Sequence, residues 1–175
     1  MPAVGVKESA AKGDSQSSAD ANARRSSPCV LTPDNAAINT METNEEAKMR
    51  VATVQTNPVF GQARANVRAV TELMEGTPAD LYVLPELCAT GYNFLDAAEV
   101  RVLAESPTGP TFETMAKFAV RKSCYIVYGF AEKAEGVYNS SALVGPAGLV
   151  GLYRKIHLFD RENLFFRPGD VGFAV

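Results

Sequence analysis

LYVLPELCATGY, residues 81–92, decides the fold. Its opening, Leu81-Tyr82-Val83-Leu84, is a short unbroken apolar run of the kind that forms a strand buried on both faces. Pro85 ends the run and Glu86 follows at its exit. In open α/β sheets ligands gather at the carboxyl ends of the strands, so an acid at this point is placed for chemistry rather than for packing. Reading outward, RVATVQ at 50–55 is a second β-type run, broken by Asn57-Pro58. Between the two, Ala63, Val67, Val70 and Met74 recur at helical spacing as far as Gly76 and Thr77-Pro78. Strand, helix, strand predicts a parallel pair joined by a crossover.

Downstream, Asp96 and Glu99 have capping-box spacing ahead of Val100, Leu103 and Ala104, which predicts a short helix. Gly109-Pro110 opens another, whose Phe112, Met115, Ala116, Ala119 and Val120 follow the i, i+3, i+4, i+7, i+8 template. Three β segments come next, at 125–131, 137–144 and 149–158, joined by residues 132–136 and by Gly145-Pro146-Ala147-Gly148. Connections this short make antiparallel neighbours, so the sheet is expected to be mixed. In the third segment, period-two geometry sets Tyr153, Lys155 and His157 on one face and Arg154, Ile156 and Leu158 on the other. Lys155 is thereby able to share a space with Glu86. After Pro168-Gly169, Val171, Phe173 and Val175 alternate like the opening of a further strand, so a truncated domain is expected.

Composition narrows the class. A chain of 175 residues with 46% apolar and 21% charged content suits one soluble globular domain. Residues 1–48 are rich in Ala, Ser, Asn and Asp and carry 7 acids against 5 bases. They lack apolar periodicity, which reads as a disordered extension before a domain at 49–175. No secretory apolar core is present, and Glu8, Asp14 and Asp20 sit poorly with a mitochondrial transit peptide. No apolar stretch approaches the roughly 20 residues of a membrane helix. A cytoplasmic protein with no membrane partner is the expectation.

The net charge of -3, with no basic stripe, argues against a nucleic-acid partner. Cys29, Cys88 and Cys124 have neither metal-ligand spacing nor the pattern of a disulfide framework. With His157 as the one histidine, a His-rich zinc site is excluded and a Ser-His-Asp triad would depend on that residue alone. No metal and no cofactor is implied.

Three marks taken together, PELCATGY around Glu86, YRKIHLF around Lys155 and the opening strand RVATVQ, resemble the nitrilase or carbon-nitrogen hydrolase superfamily. The intervening YNSSALVGPAGLVGLYRK is also similar, and the block REN, FF, PGD at 161–170 resembles the family's simpler microbial nitrilases and amidases. The resemblance implies an α+β fold, an αββα sandwich, and a Glu-Lys-Cys triad that hydrolyses nitriles, amides or carbamoyl groups through a thioester. Carried over by position, Glu86 is the general base, Lys155 the triad lysine and Glu162 a substrate-orienting second glutamate. The family's nucleophile lies beyond the lysine on a strand this sequence does not contain. The resemblance thus covers the N-terminal half of a catalytic domain, with a small-molecule amide or nitrile as partner and oligomers of identical chains as the family habit.

The residue types suit that chemistry. Amides and nitriles are poor electrophiles, and a sulfur nucleophile divides the barrier by forming a covalent intermediate. A carboxylate within hydrogen-bond reach takes the thiol proton without any histidine. A fixed ammonium then stabilises the charge that develops on oxygen or nitrogen. Cys88, two residues from Glu86, is the one cysteine near the base; free cysteine is more often a small buried hydrophobe. Cys124 reads as packing and His157 as a hydrogen-bonded structural residue. By position alone Glu86 could be a solvated strand end, Lys155 a surface residue, and Glu162 a partner of Arg161 or Arg167. Two function classes follow: half of a carbon-nitrogen hydrolase, or a non-catalytic remnant or subunit that associates with complete relatives.

Overall fold

The computed structural model describes residues 6–8, 48–170 and 172, the first three as backbone only. Among the described residues six strands form one mixed sheet in the order in which they occur along the chain: β1 (Val6–Glu8), β2 (Val51–Val54), β3 (Leu81–Val83), β4 (Tyr125–Lys133), β5 (Val137–Gly145) and β6 (Gly148–Arg154). Strands β2, β3 and β4 run parallel, and β4, β5 and β6 are antiparallel. The expected crossover between β2 and β3 is α1 (Ala63–Glu75), and α2 (Ala97–Leu103) and α3 (Pro110–Lys122) connect β3 to β4. Val6–Glu8, read from sequence as part of a structureless extension, pair antiparallel with β2. An edge strand offers unpaired backbone groups that local composition does not reveal. The remaining residues of that extension lie outside the described residues.

Each helix forms where its apolar spacing dictates. In α1, Val67, Val70 and Met74 fall on one face and are buried. In α3, Thr111, Met115, Phe118 and Ala119 are buried, whereas Val120, assigned to the apolar face by spacing, is 60% exposed. Phe118 displaces it because its larger ring reaches Tyr82 edge-on at 5.6 Å between centroids. Both helices pack over the face of the sheet that carries Ala52, Val54, Tyr82, Ile126, Tyr128, Ala142 and Val144. In α2, Asp96 caps the helix by accepting from the amides of Ala98 and Glu99, as its spacing predicts. Its Val100 joins a second cluster with Leu87, Phe94, Ala131, Val137 and Phe166 at the far end of β4 and β5.

The opposite face of the sheet differs from expectation. Strand β3 was expected to be buried on both sides, yet Leu81 and Val83 are only half-buried, as are Val51, Val127 and Leu143 on the neighbouring strands. The residues alternating with them fill the helical side, so these point the other way. Together they make an apolar strip across β2 to β5 that neither main-core helix covers. The chain is therefore expected to self-associate at micromolar concentration, measured by sedimentation velocity; a monodisperse monomer would contradict this.

Candidate active site

Glu86 owes its place to the way the chain leaves β3. The segment after Val83 continues along β4: the Leu84 amide donates to the Val127 carbonyl at 2.8 Å, Gly129 N–H to Pro85 O at 3.2 Å, and Cys88 N–H to Gly129 O at 3.1 Å. Gly129 lies directly beneath Glu86, and a Cβ there would stand 2.5 Å from the Glu86 Cα. Only glycine permits this approach. The next residue, Leu87, holds φ 46, a left-handed conformation rare for a non-glycine residue and one that stores about 1–3 kcal/mol. Asn66 of α1 ties down the far side of the loop by donating to the Ala89 carbonyl at 2.7 Å. Gly91, at φ 75, turns the chain so that Tyr92 folds back over Glu86.

Lys155 arrives from the other end of the sheet. Strand β6 ends at Arg154 rather than continuing to Leu158, but the Lys155 amide still donates to Asn139 O at 2.8 Å, which keeps the strand direction for one more residue. Its ammonium lies 2.9 Å from Glu86 Oε1 and 2.9 Å from Glu162 Oε2. Glu162 stands on the 3-10 helix Asp160–Leu164 and also accepts from the Phe159 amide at 2.7 Å. It pairs with Lys155, not with Arg161 or Arg167 as a loop residue would. His157, expected on the same strand face as Lys155, is exposed beyond the strand end.

Two residues that sequence reasoning passed over complete the group. Tyr92 donates its hydroxyl to Glu86 Oε2 at 2.7 Å. Asn139 donates from one amide nitrogen to Glu86 Oε1 at 2.5 Å and to Glu162 Oε1 at 2.9 Å, holding the two carboxylates toward the same ammonium. Both stand inside stretches that carry the family resemblance, PELCATGY and YNSSALVG. That they face Glu86 depends on the β4–β5 register and on the Gly91 turn, which no local pattern shows.

The electrostatics follow from this packing. Burial pushes the Glu86 carboxyl upward, but the hydrogen bonds from Lys155, Tyr92 and Asn139 outweigh it and hold the group below its ordinary value. Burial likewise works against the Lys155 ammonium, and Glu162 and Glu86 reverse this, raising it above its usual value. Both groups are therefore charged at neutral pH. Tyr92 is pushed up by burial and by its bond to Glu86, so it stays a donor. Three donors occupy Glu86, which leaves one of a carboxylate's four acceptor directions open on Oε2. Lys155 reaches three carboxylate oxygens, Glu86 Oε1 at 2.9 Å and Glu162 Oε2 and Oε1 at 2.9 and 3.1 Å.

Neither described cysteine joins the site. Cys88 is fully buried in the main core, where desolvation pushes its thiol up to about 12. Cys124 is buried in the same cluster. The left-handed step at Leu87, between Glu86 and Cys88, turns the Cys88 side chain into that core. Beside the pair, Tyr92, Phe94, Phe159 and Phe165 line a cavity of about 340 Å³ that opens on Glu86 and Lys155.

At the exit of one strand of a mixed sheet, then, a carboxylate faces an ammonium that a second carboxylate also holds. The chain belongs to the carbon-nitrogen hydrolase family, whose sequence profile matches residues 50–175. It is 45% identical over 132 residues to a nitrilase of Pyrococcus abyssi (strain GE5 / Orsay), an alignment that takes 73% of this chain and 50% of that protein. It is 40% identical over 92 residues to an (R)-stereoselective amidase of Pseudomonas sp, across 52% of this chain and 33% of the amidase. Among solved structures it resembles a CN-hydrolase superfamily protein of Xanthomonas campestris with an arsenic adduct in the active site. The TM-score there is 0.63 at 27% identity, covering 70% of this chain and 46% of the other. The chain thus spans about half the length of the curated relatives it matches. Among the described residues no helix is long and apolar enough to cross a membrane.

Proposed function

We propose that Glu86, Lys155 and Glu162 are three fixed groups of a site that hydrolyses nitrile, amide or carbamoyl substrates through a thioester, with a cysteine outside this sequence as nucleophile. The observation that carries this reading is the Lys155 ammonium, held 2.9 Å from Glu86 and 2.9 Å from Glu162. For an amide, Glu86 takes the thiol proton on its open acceptor direction and the sulfur bonds to the carbonyl carbon. The charge gathering on oxygen is met by the positive charge of the Lys155 ammonium. The C–N bond breaks as Glu86 returns the proton to the leaving nitrogen, and ammonia departs. Water, deprotonated by Glu86, then cleaves the thioester, releasing the acid and regenerating the thiol. Glu162 orients the substrate from the far side of the ammonium. Similarity to a nitrilase and to an amidase supports both nitriles and amides as substrates. The free thiols at Cys88 and Cys124 support a reducing, cytoplasmic setting.

The test is ammonia release from a panel of nitriles, amides and carbamoyl compounds. The 175-residue chain alone is expected to turn over none of them; the same chain carried in frame through a cysteine-bearing continuation is expected to be active. Glu86→Gln and Lys155→Ala should each lower that activity by about 10²–10⁴-fold. Turnover by the short chain that survives Glu86→Gln would refute the assignment. The burial of both described cysteines, together with the open apolar sheet face, favours one further reading, a non-catalytic chain that associates with complete relatives. Failure of the extended chain to release ammonia, with retained binding to such a relative, would establish it.

A further inference from the structure

The end of β4 carries a charge that the chemistry above does not use. Glu132 is fully buried, and three donors converge on it: Ser140 Oγ at 2.6 Å and Arg154 Nε at 2.9 Å on Oε2, and Arg154 Nη2 at 2.6 Å on Oε1. The Arg154 guanidinium lies 4.0 Å over the Tyr138 ring and also reaches Asp170 at 2.9 Å and Glu135 at 3.2 Å. A buried ion pair of this kind adds little net stability, because the desolvation of both charges offsets their attraction. What it adds is geometry.

The geometry concerns the neighbours of its two partners. Ser140 pairs with Arg154 across β5 and β6. Asn139 precedes the first and Lys155 follows the second, and Lys155 N–H donates to Asn139 O at 2.8 Å. Side chains alternate along a strand, so Asn139 and Lys155 face the site while Ser140 and Arg154 face the other way, toward Glu132. One carboxylate behind the sheet therefore grips both backbone segments that present the donors to Glu86. A second tie closes the same point, since Gly169 N–H donates to Lys155 O at 2.8 Å and Asp170 returns to Arg154.

We infer that Glu132 is a positioning residue for the site: through Ser140 and Arg154 it fixes where Asn139 and Lys155 meet Glu86. This rests on the reading of Glu86 and Lys155 as one site, and the test separates the two. The measurement is a carbon-13 NMR titration of the Glu86 carboxyl in the full chain, in Glu132→Gln, and in the double variant Glu132→Leu/Arg154→Met. The double variant replaces the ion pair by apolar groups of similar volume and is expected to melt no lower than the unmodified chain. In the unmodified chain Glu86 is expected to titrate below the ordinary carboxylate value, held there by Lys155, Tyr92 and Asn139. In both variants its midpoint is expected to rise by about one pH unit, as donors withdraw from the carboxylate. If Glu132→Gln does not fold, the double variant alone decides. A Glu86 midpoint unmoved in a folded variant overturns the positioning role and leaves the site intact. An ordinary Glu86 midpoint in the unmodified chain overturns the site reading, and the role of Glu132 with it.

Discussion

Gly129→Ala is expected to destabilise the chain and to push Glu86 out of the site. The added Cβ would meet three backbone atoms: the Glu86 Cα at 2.5 Å, the Leu87 nitrogen at 2.9 Å and the Glu86 carbonyl carbon at 3.1 Å. Backbone cannot rotate aside as a side chain does, so the whole exit segment must lift from β4. Lifting strains the bonds from Gly129 N–H to Pro85 O and from Cys88 N–H to Gly129 O. It also releases the constraint that keeps Leu87 left-handed. Overpacking of a tight interior contact costs about 1–3 kcal/mol, and this contact belongs at the upper end of that range. Chemical denaturation measures the loss, and the Glu86 carboxyl signal should move toward its ordinary titration value. An unchanged midpoint of unfolding would show that the close approach of β4 to the Glu86 loop is not a real constraint.

Asn139→Asp is the second change of large effect. The residue is 3% exposed and donates to Glu86 and Glu162 at once. The substitution keeps its size but replaces a donor shared by two carboxylates with a third carboxylate. Lys155 would then be the one cation against three acids, and a buried charge left without compensation costs about 3–5 kcal/mol. The sign with pH is fixed by linkage. Burial and the two neighbouring carboxylates raise the introduced group's pKa in the folded state above its unfolded value of about 3.9. The folded variant therefore binds the proton more tightly, and the penalty is absent below that unfolded value. It grows as pH rises toward the folded value and is complete above it. The difference in unfolding free energy between variant and unmodified chain should widen from pH 4 toward neutrality. A constant difference across that range would mean that Asn139 does not lie between the two glutamates.

Much of this arrangement was legible in the residues, for identifiable reasons. The crossover helix and α3 were readable because their apolar residues recur at helical spacing over several turns. Glu86 was readable because it follows an apolar run that Pro85 ends, and Lys155 because the alternation that starts at Tyr153 survives one residue past the strand. What could not be read depends on partners far away in sequence. Glu132 looked like the start of a connecting turn; it is the last buried residue of β4 because Arg154, 22 positions later, neutralises it. Asn139 and Tyr92 are ordinary polar residues until the β4–β5 register and the Gly91 turn aim them at Glu86. Val120 and Phe118 both fit a helical apolar stripe, and only the position of the Tyr82 ring chooses between them.

Cys88 illustrates the opposite case. Nearness in sequence to Glu86 made it a candidate, whereas the left-handed step at Leu87 and the bond to Gly129 O turn it into the core. Its buried thiol, pushed up to about 12, is a packing group.

The most direct test of a Glu-Lys site serving a cysteine is mass spectrometry of acid-quenched turnover, using the chain extended in frame and a slow amide or nitrile substrate. The expected result is a single acyl adduct on a cysteine outside residues 1–175, lost in Glu86→Gln. An adduct on Cys88 or Cys124, or one whose yield is unchanged by Glu86→Gln, would contradict it.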